Sequence, residues 1–165
     1  MVWGMSLETF TVLHVLISLA GIVSGFVVMA GLLKGKPLDA WTALFLITTV
    51  ATSVTGFGFP VDHLLPSHVV GIISLVVLAV TILARYAFHL RSAWGLTYVV
   101  GAAAALYLNV FVGVVQAFQR IAVLRAIAPH QTEAPFVVAQ AVVLVAFIAL
   151  TIVAARRFAR VPARV

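Results

Sequence analysis

The side chains able to coordinate a metal, accept a ligand or move a proton are few in this chain, and they cluster unevenly. The stretch Gly56-Phe57-Gly58-Phe59-Pro60-Val61-Asp62-His63-Leu64-Leu65-Pro66-Ser67-His68 brings two imidazoles and a carboxylate within seven positions. Imidazole and carboxylate suit zinc, copper(II) or non-haem iron, so Asp62, His63 and His68 are candidate ligands for a divalent metal. Their spacing is not the i, i+4 pair of a helical zinc site. The plainer reading makes them boundary residues, with Asp62 and Ser67 capping helix ends. His14 and His68 form a second candidate pair, placed to hold a b-type haem between two helices, with Ser18 and Gly71 leaving room beside them. A histidine near the end of a membrane span also reaches water without any ligand. Asn109, Gln116, Gln140, Tyr98 and Arg120 form a third set, the few polar groups an otherwise apolar pocket needs to bind a quinone-like headgroup. Their plainer role is to hydrogen-bond helix to helix.

Other chemistries are disfavoured. No Gly-x-Ser-x-Gly elbow and no phosphate-cradling loop occurs. No Asp or Glu lies deep in an apolar segment, which argues against a proton-coupled pump. Arg85 lies inside the third apolar segment. With no acid at that depth, it is expected to snorkel to the interface rather than to pair. The absence of cysteine excludes disulfides and thiolate metal sites.

The elements that must position these residues are read from hydrophobicity. Of 165 residues, 64% are hydrophobic and only 8% charged, and mean hydropathy is +1.24. Soluble domains carry about 25% charged residues, so a membrane protein is expected. Five apolar segments are long enough to span a bilayer, at about 9–33, 40–59, 67–90, 93–122 and 135–158. The fold expected is all-α: one domain over 1–165, a bundle of five transmembrane helices. The fourth segment stays apolar to about Ile127, longer than a bilayer needs, so its last turns are expected to leave the membrane or bend. It carries a polar and small-residue stripe, Tyr98, Gly101, Ala105, Asn109, Gly113, Gln116 and Arg120, at helical spacing. The other helices are expected to pack around that stripe. Thr42, Thr49, Ser53 and Gly56 share a face of the second segment, and Gly21 and Gly25 form a GxxxG pair in the first.

Charge gives orientation. Lys34, Lys36, Arg85, Arg91, Arg156, Arg157, Arg160 and Arg164 fall on one side of such a bundle, and only Arg120 and Arg125 on the other. The basic side faces the cytoplasm, so the amino terminus is expected outside and the carboxyl terminus inside, in the inner membrane. Met1 to Phe10 carries no Lys or Arg, so the first segment is expected to remain as an anchor rather than be cleaved. The net charge of +6 then reflects anchoring, and no nucleic-acid partner is expected. The partners are the bilayer and either another membrane protein or a second copy. Two functions remain open. One is a binding or redox module with an outward-facing site for a metal, haem or quinone-like ligand. The other is a non-catalytic accessory subunit of a larger membrane complex.

Overall fold

Ser6 opens the first helix. Its Oγ accepts a hydrogen bond from the Thr9 backbone N–H at 3.1 Å, satisfying one of the unpaired donors of the first turn. The computed structural model describes residues 1–36, 38–60 and 66–158. Helix α1 spans Leu7–Leu33, and α2 (Asp39–Gly56), α3 (Pro66–Ile82), α4 (Ala93–Arg120), a short α5 (Ala122–Ile127) and α6 (Ala134–Phe158) follow. A π-helical turn, Leu83–Ala87, extends α3. All regular elements among the described residues are helical, as the composition implies.

Among the described residues, four helices are long and apolar enough to cross a membrane: α1, α3 with its π turn, α4 and α6. Helix α2 falls short of that standard because threonines and Asp39 dilute its 18 residues. Two other boundaries differ from expectation. Regular α-helix ends at Ile82 rather than near Leu90, because the π turn takes over where Arg85 is drawn into the bundle. The fourth segment breaks at Ile121, whose ψ of 118° is extended, so its surplus length becomes the separate α5.

Side-chain register shows how the helices run. Gly58 abuts Phe10, His14 meets Thr55, Gly21 meets Thr48 and Thr49, Gly25 meets Phe45, and Gly31 meets Leu38. Helix α2 is therefore antiparallel to α1 and accompanies it over nearly its whole length. The same logic makes α3 antiparallel to α2, through Ser53 with Ser74 and Asp39 with Arg85. It makes α4 antiparallel to α3 through Gly101 against Thr81 and the Tyr98 ring beside Arg85, and α6 antiparallel to α4 through Phe118 with Phe136 and Gly95 with Phe158. The link between α3 and α4 is so short that His89, Leu90 and Ser92 all take positive φ, a conformation strained for residues with a Cβ.

Helix α4 lies at the centre. It packs on α1, α3, α6 and the π turn, and its Tyr98, Val99, Ala102, Ala105 and Leu106 join Val28 and Leu32 of α1, Phe45 of α2 and Leu78 of α3 in one buried cluster. Helix α6 is the least enclosed of the long helices, with only Phe147 and Ala154 buried. Its Val137, Val138, Val142, Val145, Ile148 and Ile152 face outward. An outer surface so apolar suits hydrocarbon rather than water.

Candidate functional site at the amino-terminal end

At the end of the bundle where α1 begins, His14 is half-buried against the last turn of α2. Its Nδ1 lies 2.7 Å from Thr55 Oγ1. The Thr55 hydroxyl has one proton, and its 2.7 Å contact with the Ala51 carbonyl, which can only accept, takes that proton. The imidazole therefore donates from Nδ1, and Nε2 carries the free lone pair. A second partner fixing one ring nitrogen so that the other is available is the usual arrangement of a ligating or proton-accepting histidine. Phe59 stands edge-on to the ring at 5.2 Å, followed by Phe10 at 5.0 Å from Phe59 and Trp3 at 5.4 Å from Phe10. Gly56 leaves space at this edge: outside its own helix, a methyl built there would meet only His14 Cε1, at 3.9 Å.

His68 is buried and stacks on the Phe57 ring at 5.5 Å, with the planes 20° apart. Thr55 and Phe57 are two residues apart, so they point to nearly opposite faces of α2. His14 and His68 thus contact the end of α2 on different sides. Asp62 and His63 lie outside the described residues. Among the described residues, no group of three or more His, Asp or Glu side chains is close enough to hold a metal ion.

The amides fall at three separate places. Asn109 donates from Nδ2 to Thr49 Oγ1 at 3.1 Å, in the middle of the bundle and close to Gly21. Gln140 donates to the Phe111 carbonyl at 3.2 Å, joining α6 to α4, and its Oε1 is buried without a partner. Gln116 and Arg120 are exposed and make no side-chain hydrogen bond among the described residues. Beside them, Gln131 ties the loop before α6 to the Val115 carbonyl at 3.1 Å. Glu133 accepts from the N–H groups of His130 and Thr132. Desolvation raises the Glu133 carboxyl, but those bonds and the nearby His130 outweigh it and hold the group below its ordinary range. The open apolar groove of about 240 Å³ between α4 and α6, lined by Val100, Ala103, Tyr107, Leu144 and Ile148 among others, includes none of these polar residues.

The other end of the bundle holds an ion pair. Arg85 is buried, and its Nη2 donates to Asp39 Oδ1. The expectation that Arg85 has no acidic partner is therefore overturned. Asp39 does not cap α2 with its side chain; Leu38 occupies the cap position, and Asp39 turns toward α3 instead. The guanidinium lies 5.0 Å from the Tyr98 ring and 5.7 Å from the Tyr86 ring, and Tyr98 in turn hydrogen-bonds Thr42 at 3.2 Å. Lys34 and Lys36 precede Asp39 in the turn between α1 and α2.

Comparison with protein-family models, curated proteins and solved structures finds no match. The functional reading therefore rests on these side chains alone. Two participants were missed from sequence. Thr55, which orients His14, is hidden because any threonine in a span can bond back to its own helix. Asp39 was readable in principle, since a short Lys-Gly-Lys-Pro turn sets the first residue of α2 at the same end of the bundle as Arg85.

Proposed function

We propose that this chain is a five-span inner-membrane protein, amino terminus outside, whose outer end binds a quinol-like amphiphile at His14. The observation that carries the reading is the 2.7 Å contact of His14 Nδ1 with a Thr55 hydroxyl that is itself bonded to the Ala51 carbonyl. With Nδ1–H held by Thr55, Nε2 is an acceptor bordering the space left by Gly56, suited to a ligand hydroxyl donated from the bilayer. The aromatic rings of Phe59 and Phe10 supply the apolar wall such a headgroup needs. A hydrogen-bonded ligand is favoured over a haem held by both histidines, because His14 and His68 contact residues two positions apart, on different sides of the end of α2. The fifth span is supported by register: α2 stays beside α1 from Leu38 to Thr55, so a bilayer crossed by one is crossed by both. At about 1.5 Å per residue, its 18 residues reach roughly 27 Å, close to the ~30 Å hydrocarbon core.

The test is a titration of the full chain in nanodiscs with a short-chain quinol. Trp3 fluorescence serves as the reporter in a Trp41→Phe, Trp94→Phe background. Saturable quenching is expected, about tenfold weaker in His14→Ala, where one hydrogen bond to the ligand is lost, and absent in Gly56→Leu, which fills the space. Unchanged affinity in both variants would overturn the reading.

A second reading, an accessory subunit, has its own support. The outward face of α6, with Phe147 and Ala154 alone buried, is broad enough to pack against another membrane protein. A chain that binds no quinol and co-purifies with a stable membrane partner, lost on Val142→Trp or Val145→Trp, would favour it.

A further inference from the structure

We propose that Arg85 forms an oxyanion site at the basic end of the bundle, and that a phosphate of an anionic lipid headgroup binds there in place of Asp39. Arg85 is more than nine-tenths buried, at 8% exposed. Of its five N–H donors, one side is engaged by Asp39, while Nη1 is buried without a partner among the described residues. A buried charged donor left unmatched is costly, so the site is under-satisfied as it stands. The partner is unequal: the Asp39 side chain is 86% exposed against 7% for Arg85. A carboxylate so open to solvent is readily exchanged for another oxyanion, and it marks the direction from which that anion reaches the guanidinium.

The surroundings select the ligand. Helix α2 begins at Asp39 with no side-chain cap, so its first turn offers uncapped N–H groups at the same end of the bundle. Lys36 precedes Asp39 by three residues and Lys34 by five, and both are exposed. The guanidinium fork matches the paired oxygens of a phosphate, which bring more charge and more acceptors than one carboxylate. Tyr98 and Tyr86 flank the guanidinium and hold it in place. The π turn is the local device that carries Arg85 inward, and such turns recur at functional positions. An intramembrane arginine at the basic boundary of the bundle faces the leaflet in which anionic headgroups are concentrated.

The experiment uses the full chain in nanodiscs of phosphatidylcholine, alone or mixed with phosphatidylglycerol. Asp39→Asn removes the resident carboxylate and leaves the cation. It is expected to melt below the parent in neutral discs and to return to the parent value when phosphatidylglycerol is present. Arg85→Lys keeps the charge but loses the fork, and is expected to retain phosphatidylglycerol about tenfold less well by native mass spectrometry. Addition of inorganic phosphate to neutral discs separates the sources. Rescue of Asp39→Asn by phosphatidylglycerol and not by phosphate assigns the site to lipid, whereas rescue by phosphate assigns the same oxyanion chemistry to a soluble ligand. Equal destabilisation of Asp39→Asn under all three conditions would overturn the proposal, as would undiminished lipid retention in Arg85→Lys.

Discussion

Asn109 and Gln116 occupy the same stripe of α4 two turns apart, yet they have different fates. Asn109 meets Thr49 across a close helix contact, while Gln116 stands exposed. Spacing identified both as facing one way, because 3.6-residue periodicity was all the sequence offered. It carried no sign of where a neighbouring helix ceases to follow that face. The pair with Thr49 is a sharp case for measurement. In a bilayer the unfolded reference state also finds hydrogen-bond partners, so interhelical hydrogen bonds average only about 0.6 kcal/mol and reach at most about 1.7 kcal/mol. A double-mutant cycle of Asn109→Ala and Thr49→Ala, read by unfolding in detergent, is expected to give coupling of about 0.6 kcal/mol. Coupling of zero would show that the two side chains do not depend on each other. His14 carries the opposite lesson. The imidazole was conspicuous in sequence, whereas the hydroxyl that sets its tautomer was one of several threonines in α2 and became visible only through the Ala51 carbonyl that takes its proton.

At the level of helices, glycine marks where backbones approach. The Gly21–Gly25 pair was legible as a packing motif, and Gly25 indeed faces Leu106 and Phe45, where an added methyl would come within 2.9 Å of the Phe45 ring. Gly101 is tighter still, because its missing methyl would fall on the Thr81 hydroxyl of α3, which is itself bonded to the Val77 carbonyl. Gly113 looks the same in sequence, but its nearest neighbour, the end of the Ile22 side chain, would be 3.6 Å away. Packed helices cross at an angle, so a straight stripe leaves the interface toward one end. Along the α4 stripe, Tyr98 and Ala105 are buried near one end, and Gln116 and Arg120 are exposed at the other. Gly101→Ala is expected to lose about 1–3 kcal/mol of stability through overpacking, whereas Gly113→Ala is expected to be neutral or slightly stabilising, since alanine is the better helix former. Thermal unfolding of the two variants in one detergent checks the contrast, and equal effects would mean that α3 and α4 are not held at the distance described.

Over the whole molecule, charge asymmetry was the most legible property, and burial explains the part that was not. The described basic residues Lys34, Lys36, Arg91, Arg156 and Arg157 gather where α1, α3 and α6 end, with Arg85 just inside, while Arg120 and Arg125 lie at the opposite end. This distribution follows from helices that alternate in direction, and it needs α2 to run alongside its neighbours. Without α2, Pro60 would share a side with Lys36, and the segments after it would be inverted relative to α1. Because the chain has no cysteine, single substitutions report topology without background. Five spans place Ser6→Cys, Pro60→Cys and His130→Cys on the outer side, accessible to an impermeant maleimide in intact cells. Lys36→Cys and Arg91→Cys should react only after the membrane is permeabilised. Reaction of Pro60→Cys together with Lys36→Cys, and not with Ser6→Cys, would remove α2 from the spanning set. It would also move His14 and Thr55 to opposite faces of the bilayer, and so be incompatible with the 2.7 Å contact between them on which the proposed site rests. The topology of the bundle and the site at His14 are thus tested by the same labelling experiment, because one hydrogen bond requires both.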